Sequence, residues 1–76
     1  MRTTLIDVAG DLCFVVTRGG RSLAGGCNIA SDVWLVRVYA TDPPFDETVS
    51  GREGAIAFVH TWLLMNDPAY EGELGE

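Results

Sequence analysis

Hydrophobic positions in this chain follow the two-residue period of strands in its first half and the helical period in its second. Thr3 to Val8 alternates and is rich in β-branched residues, Leu12 to Thr17 is apolar and β-branched, and Ala9-Gly10-Asp11 between them is a turn signal. The three segments predict a hairpin. With Gly10 and Asp11 as its two loop residues, Val8 lies opposite Cys13 and Ile6 opposite Val15 on one side, and Leu5 opposite Val16 and Asp7 opposite Phe14 on the other. Both sides of that hairpin are then largely apolar.

Arg18-Gly19-Gly20-Arg21 is a second turn, after which Ser22-Leu23-Ala24 returns as a short strand that Gly25-Gly26 breaks. Val33 to Ala40 is the best-patterned strand, with Trp34, Val36 and Val38 on the expected core face and Val33, Leu35, Arg37 and Tyr39 on the other. Thr41 to Glu47 contains Pro43-Pro44, which disfavours both helix and ladder pairing, so an irregular connection is expected there. Ser50 and Glu53 have the spacing of a capping box, and a helix is predicted from Gly51 to Met65. Ala55, Ile56, Phe58, Val59, Trp62 and Leu63 form its apolar stripe, with Glu53, Ala57, His60, Thr61 and Leu64 opposite. Asn66-Asp67-Pro68 ends the helix.

These elements predict an α+β fold in which a three- to four-stranded antiparallel meander packs against one C-terminal helix, as a single domain over residues 1–66. Residues 67–76 form an acidic tail, expected to be flexible, with only Tyr70 and Leu74 to bury. A chain of 76 residues has room for one core and a net stability of roughly 3–5 kcal/mol. One fifteen-residue helix covers only one side of the sheet, which leaves an apolar patch of Leu5, Leu12, Phe14, Val16, Val33, Leu35 and Tyr39 for a second copy or a partner.

Charge sharpens this picture because it is segregated. Residues 41–76 hold eight of the eleven carboxylates and one arginine, Arg52, while residues 1–40 hold three aspartates against four arginines. The net charge is −6. Such a field attracts basic surfaces and repels bare nucleic acid. Asp42, Asp46, Glu47, Glu53, Asp67, Glu71 and Glu73 are therefore the expected partner-binding residues, with a Lys/Arg-rich surface of a protein or ribonucleoprotein complex as their target.

Candidate chemistry adds little. His60 has Ile56, Ala57 and Leu64 as helical neighbours, so no carboxylate or nucleophile is set beside it by the helix. None of Ser22, Ser31 and Ser50 sits in a nucleophile elbow, and the acids lack calcium-loop spacing. Arg18 to Gly26, although glycine-rich, is not followed by the helix that a phosphate cradle requires. Cys13 and Cys27 could close a fifteen-residue loop worth roughly 3 kcal/mol. Without a secretory signal they are expected instead as reduced, small core residues of a cytoplasmic protein. Two cysteines and one histidine fall short of a zinc site. Ala55 to Met65 is about half the length needed to cross a bilayer. The expectation is a non-enzymatic protein without cofactor, metal or membrane.

In size, acidity and inferred βββα order the chain resembles the anti-CRISPR proteins encoded by phages and other mobile elements. That resemblance implies an inhibitor of a CRISPR surveillance complex in the bacterial host cell, whose carboxylates imitate DNA phosphates and block target-DNA binding. A homodimeric interaction module working through its apolar sheet face is the alternative.

Overall fold

The computed structural model describes residues 3–75. Five strands, β1 (Thr4–Val8), β2 (Cys13–Arg18), β3 (Arg21–Ala30), β4 (Val33–Val38) and β5 (Phe45–Ser50), form one antiparallel meander in chain order, followed by α1 (Arg52–Asn66). The α+β class is as expected, with five strands where three or four were predicted.

The first hairpin differs from the expected register by one residue. Ile6 lies opposite Val16, Asp7 opposite Val15 and Val8 opposite Phe14. Its loop spans residues 9–12 rather than two residues, closed by the Ala9 amide donating to the Cys13 carbonyl at 2.9 Å, with Gly10 in the left-handed region at φ 76°. Because side chains alternate along a strand, the slip moves whole sets of residues between faces. Phe14 and Val16, expected on the uncovered side, join Ile6, Trp34, Val36 and Val38 in the core.

β3 is the second departure, running straight through Gly25-Gly26 where a break was expected. Ladders from β2 and β4 hold it on both sides, so it needs little propensity of its own. Gly26 also has a packing reason: a Cβ there would lie 2.5 Å from the Phe14 ring, which covers the glycine and stacks on Trp34 at 6.1 Å between centroids. The Arg18 to Arg21 hairpin forms as predicted, with Gly19 and Gly20 at φ 58° and 80°.

Third, the irregular connection ends at Pro44 and β5 begins at Phe45. Phe45, Glu47 and Val49 form its inner face, and the acid between two apolar residues hides the period. Ser50 belongs to this strand, so the expected capping box is not formed. Its Oγ donates to Asp32 Oδ2 at 3.1 Å, and Gly51, at φ 77°, takes the N-cap position without a side-chain cap. The Gly51 amide instead donates to the Asp32 carbonyl at 2.7 Å, which ties the helix entry to the start of β4.

Helix α1 lies on the Phe14/Trp34 side of the sheet. Ala55, Val59 and Leu63, one turn apart, are buried, and Ile56, Phe58 and Trp62 flank them against the core. Full burial of Leu63 contributes about 1.5–3 kcal/mol. The predicted stripe is the observed one.

The segment after the helix, expected as a flexible tail, lies alongside β1. The Ile6 amide donates to the Gly75 carbonyl at 2.7 Å and the Gly75 amide to the Thr4 carbonyl at 2.9 Å, giving a parallel bridge. Tyr70 and Leu74 pack against the core, and Glu76 lies outside the described residues.

Candidate partner-binding surface

The seven acids singled out in the sequence do not converge. Asp46, on β5, is bound by the Arg37 guanidinium directly opposite on β4, with Nε reaching Oδ1 and Nη2 reaching Oδ2 at 2.8 Å. That fork holds the Asp46 carboxyl below its ordinary range and raises Arg37. Asp67, just past the end of α1, pairs with Arg18 Nη1 at 2.9 Å and accepts the Ala69 amide at 3.0 Å.

Glu71 is a clamp. It accepts the Thr3 and Thr4 amides and, at 2.9 Å, the Thr4 hydroxyl, and Arg18 Nε and Nη2 donate to that same hydroxyl oxygen at 3.0 and 2.7 Å. The Thr3 amide contributes most to holding the Glu71 carboxyl down at about 2. Asp67, Arg18, Thr4 and Glu71 therefore form one polar chain from the helix end across β2 to β1 and the tail, with Thr4 fully buried. Glu71 takes the outward Thr4 amide and Gly75 the Ile6 amide, so the Thr4–Ile6 part of this sheet edge is covered by the chain's own C-terminal segment.

Tertiary structure brings Glu53 and Glu73 to one groove. They flank a groove of about 450 Å³ between α1 and the C-terminal segment, lined also by Ile56, Ala57, His60 and Leu74. His60 Nδ1 lies 2.6 Å from the Tyr70 hydroxyl, with the rings edge to face. Burial, then the charges of Glu71 and Glu73, push the Tyr70 phenol up. Two carboxylates over an apolar floor suit the aliphatic stem and charged head of a lysine or arginine.

Asp42 is exposed in the β4–β5 loop, beside a polar groove of about 500 Å³ that Arg18, Arg21 and Asp67 also line. Glu47 is exposed on β5, its side chain on the helix side of the sheet because it faces Val36 across the ladder. β5 is the edge strand opposite β1 and carries Asp46 and Glu47.

On the other side of the sheet, Val15, Gly25, Leu35, Arg37 and Tyr39 line a depression of about 740 Å³. Cys13 and Cys27 are on this face, not in the core where they were expected, and both are free thiols. Sequence reasoning did not find the Tyr70 partner of His60, ten residues on, or the Arg18–Asp67 pair. The only local hint was that Tyr70 and Leu74 are apolar residues in an acidic segment. Among the described residues no group of three or more His, Cys, Asp or Glu could hold a metal, and no helix is long and apolar enough to cross a membrane.

No protein-family model, curated protein or solved structure matches this chain.

Proposed function

We propose that this protein is a non-enzymatic inhibitor that binds a basic surface of a nucleic-acid-handling complex, and that it acts as the resembled anti-CRISPR proteins do, occupying sites of a CRISPR surveillance complex that hold target-DNA phosphates. The observation that carries the reading is the persistence of net negative charge after internal pairing. Arg18 and Arg37 are engaged by Asp67 and Asp46, and since each pair removes one charge of either sign, −6 stays on the molecule. Glu53 and Glu73, flanking an apolar groove, support a contact with a protruding Lys or Arg side chain. Asp46, Asp67 and Glu71 already have structural duties, which narrows the acids to test to Asp42, Glu47 and Glu53.

The test is displacement of labelled target duplex from purified CRISPR surveillance complexes of several types, read by fluorescence anisotropy at low and raised salt. The wild type is expected to displace DNA from at least one of them, and Asp42→Asn/Glu47→Gln/Glu53→Gln to do so about tenfold more weakly with an unchanged urea midpoint. No displacement from any complex, or equal displacement by the triple variant, overturns the reading. The exposed apolar residues of the uncovered sheet face, Leu5 at 44% and Tyr39 at 46% exposure, favour a second reading as a homodimer or apolar docking module. Sedimentation of the free protein separates the two: a dimer that survives high salt belongs to the second.

A further inference from the structure

Cys13 and Cys27 are direct cross-strand neighbours on the uncovered face of the sheet. The kind of pair they form follows from the ladder. The Asn28 amide donates to the Leu12 carbonyl at 2.7 Å, so Leu12 and Asn28 are bonded across β2 and β3, while the Cys13 carbonyl turns the other way to accept the Ala9 amide. Bonded and non-bonded pairs alternate along an antiparallel ladder, which makes Cys13 and Cys27 a non-hydrogen-bonded pair.

Such pairs hold their Cα atoms about 4.5 Å apart, with their side chains closer than in bonded pairs. A disulfide requires Cα atoms roughly 4.4–6.8 Å apart, so the ladder already holds these two cysteines within reach of a bond. The neighbouring Cys13 thiol, and then burial, push the Cys27 thiol up. Cys27 is exposed and Cys13 half-buried, so a small reagent can reach the pair.

We propose that Cys13 and Cys27 form a redox-modification site, a cross-strand dithiol that a low-molecular-weight disulfide such as oxidised glutathione converts to an intramolecular disulfide. One cysteine thiolate attacks the reagent disulfide, forms a protein–glutathione mixed disulfide and releases the first glutathione thiolate. The neighbouring thiolate then attacks the protein sulfur of that mixed disulfide and releases the second. The protein gives up two protons and two electrons, and oxidised glutathione is reduced to two molecules of glutathione. The crosslink joins β2 to β3 on the face that also carries Val15, Leu35 and Tyr39, so the redox state of the pair sets the rigidity of the surface beside that depression.

The test equilibrates the full chain with graded mixtures of oxidised and reduced glutathione, quenches with acid and an alkylating reagent, and reads the intact mass with peptide mapping. The intramolecular Cys13–Cys27 disulfide is expected as the main product, with an equilibrium constant about a hundredfold larger in the native chain than in concentrated urea, as a fifteen-residue loop closed by folding would give. Cys13→Ser and Cys27→Ser should each stop at the mixed disulfide, with urea midpoints near that of the reduced wild type because neither residue is in the core. Equal constants in native and denatured chain overturn the proposal, as does a native product dominated by glutathione adducts or intermolecular dimers. The wild-type measurement decides the matter even if a serine variant fails to fold.

Discussion

The two faces of the sheet are built by the same five strands, alternate residues serving one side or the other, and they end in different states. On the helix side Phe14, Val16, Trp34, Val36 and Val38 meet Ala55, Val59 and Leu63, all buried, and space is so short that Gly26 leaves room for a ring. On the other side Val15 and Leu35 are half-buried, Leu5 and Tyr39 are exposed, and a thiol pair and an Arg–Asp fork stand in the open. Alternation alone does not make a core. A second layer does, and this chain has one helix to supply it. The uncovered side is therefore where substitutions are cheap for the fold, and it is also where the redox site lies.

Truncating one side chain on each face should separate the two most strongly. Leu63→Ala on the helix side should cost about 2–5 kcal/mol and leave much of so small a domain unfolded, whereas Leu35→Ala on the open side should cost less than half as much. Urea midpoints of the two variants give the ratio, and equal losses would mean that the open face is covered in solution. Next come the adjacent glycines. Gly26→Ala drives a Cβ to 2.5 Å from the Phe14 ring and should cost about 1–3 kcal/mol, while Gly25→Ala, on the opposite side, meets the Phe14 carbonyl oxygen at 3.2 Å and the Tyr39 ring at 3.9 Å and should cost less. Reversal of that order would show that Phe14 does not sit on Gly26.

The smallest expected effect concerns the sheet edge that the C-terminal segment covers. Glu71 is held at about 2 in the folded chain against an ordinary 4.5, so the unfolded chain takes up this proton first as acid is added. The stabilisation from Glu71 is complete above pH 4.5 and is lost as pH falls towards 2. An NMR titration of the Glu71 carboxyl should show that depressed midpoint. Glu71→Gln should lower the exchange protection of the Ile6 and Gly75 amides and leave that of Val36, in the centre of the sheet, unchanged. A Glu71 midpoint near 4.5 would mean that the segment does not hold the β1 edge.

Several elements were legible because their signals are local. The Arg18-Gly19-Gly20-Arg21 hairpin needs left-handed backbone at both loop residues, and only glycine gives it freely. Strand β4 and the apolar stripe of α1 show unbroken periods. What misled was always a competition with a distant group. Ser50 and Glu53 have capping spacing, yet Asp32 on another strand takes the serine hydroxyl. Gly25-Gly26 looks like a break, but an aromatic ring from the neighbouring strand needs that gap. Asp46 and Asp67 look like surface charge, but arginines nine and forty-nine residues earlier in the chain claim them.

The α+β class, the meander order, the helix with its buried stripe, and the acidic charge could be read along the chain, because each depends on composition or on residues a few positions apart. The register of the first hairpin, and with it the face that Phe14 and Val16 occupy, emerges only from packing in the folded chain. So do the fifth strand, the docking of the segment after α1 along β1, the pairing of Asp46, Asp67 and Glu71 inside the fold, and the placement of Cys13 opposite Cys27. The physical reason is common to all of these. A one-residue shift of register costs little locally but exchanges the faces of a whole strand, so only the requirement to bury Phe14 against Trp34 beneath the helix selects one alignment.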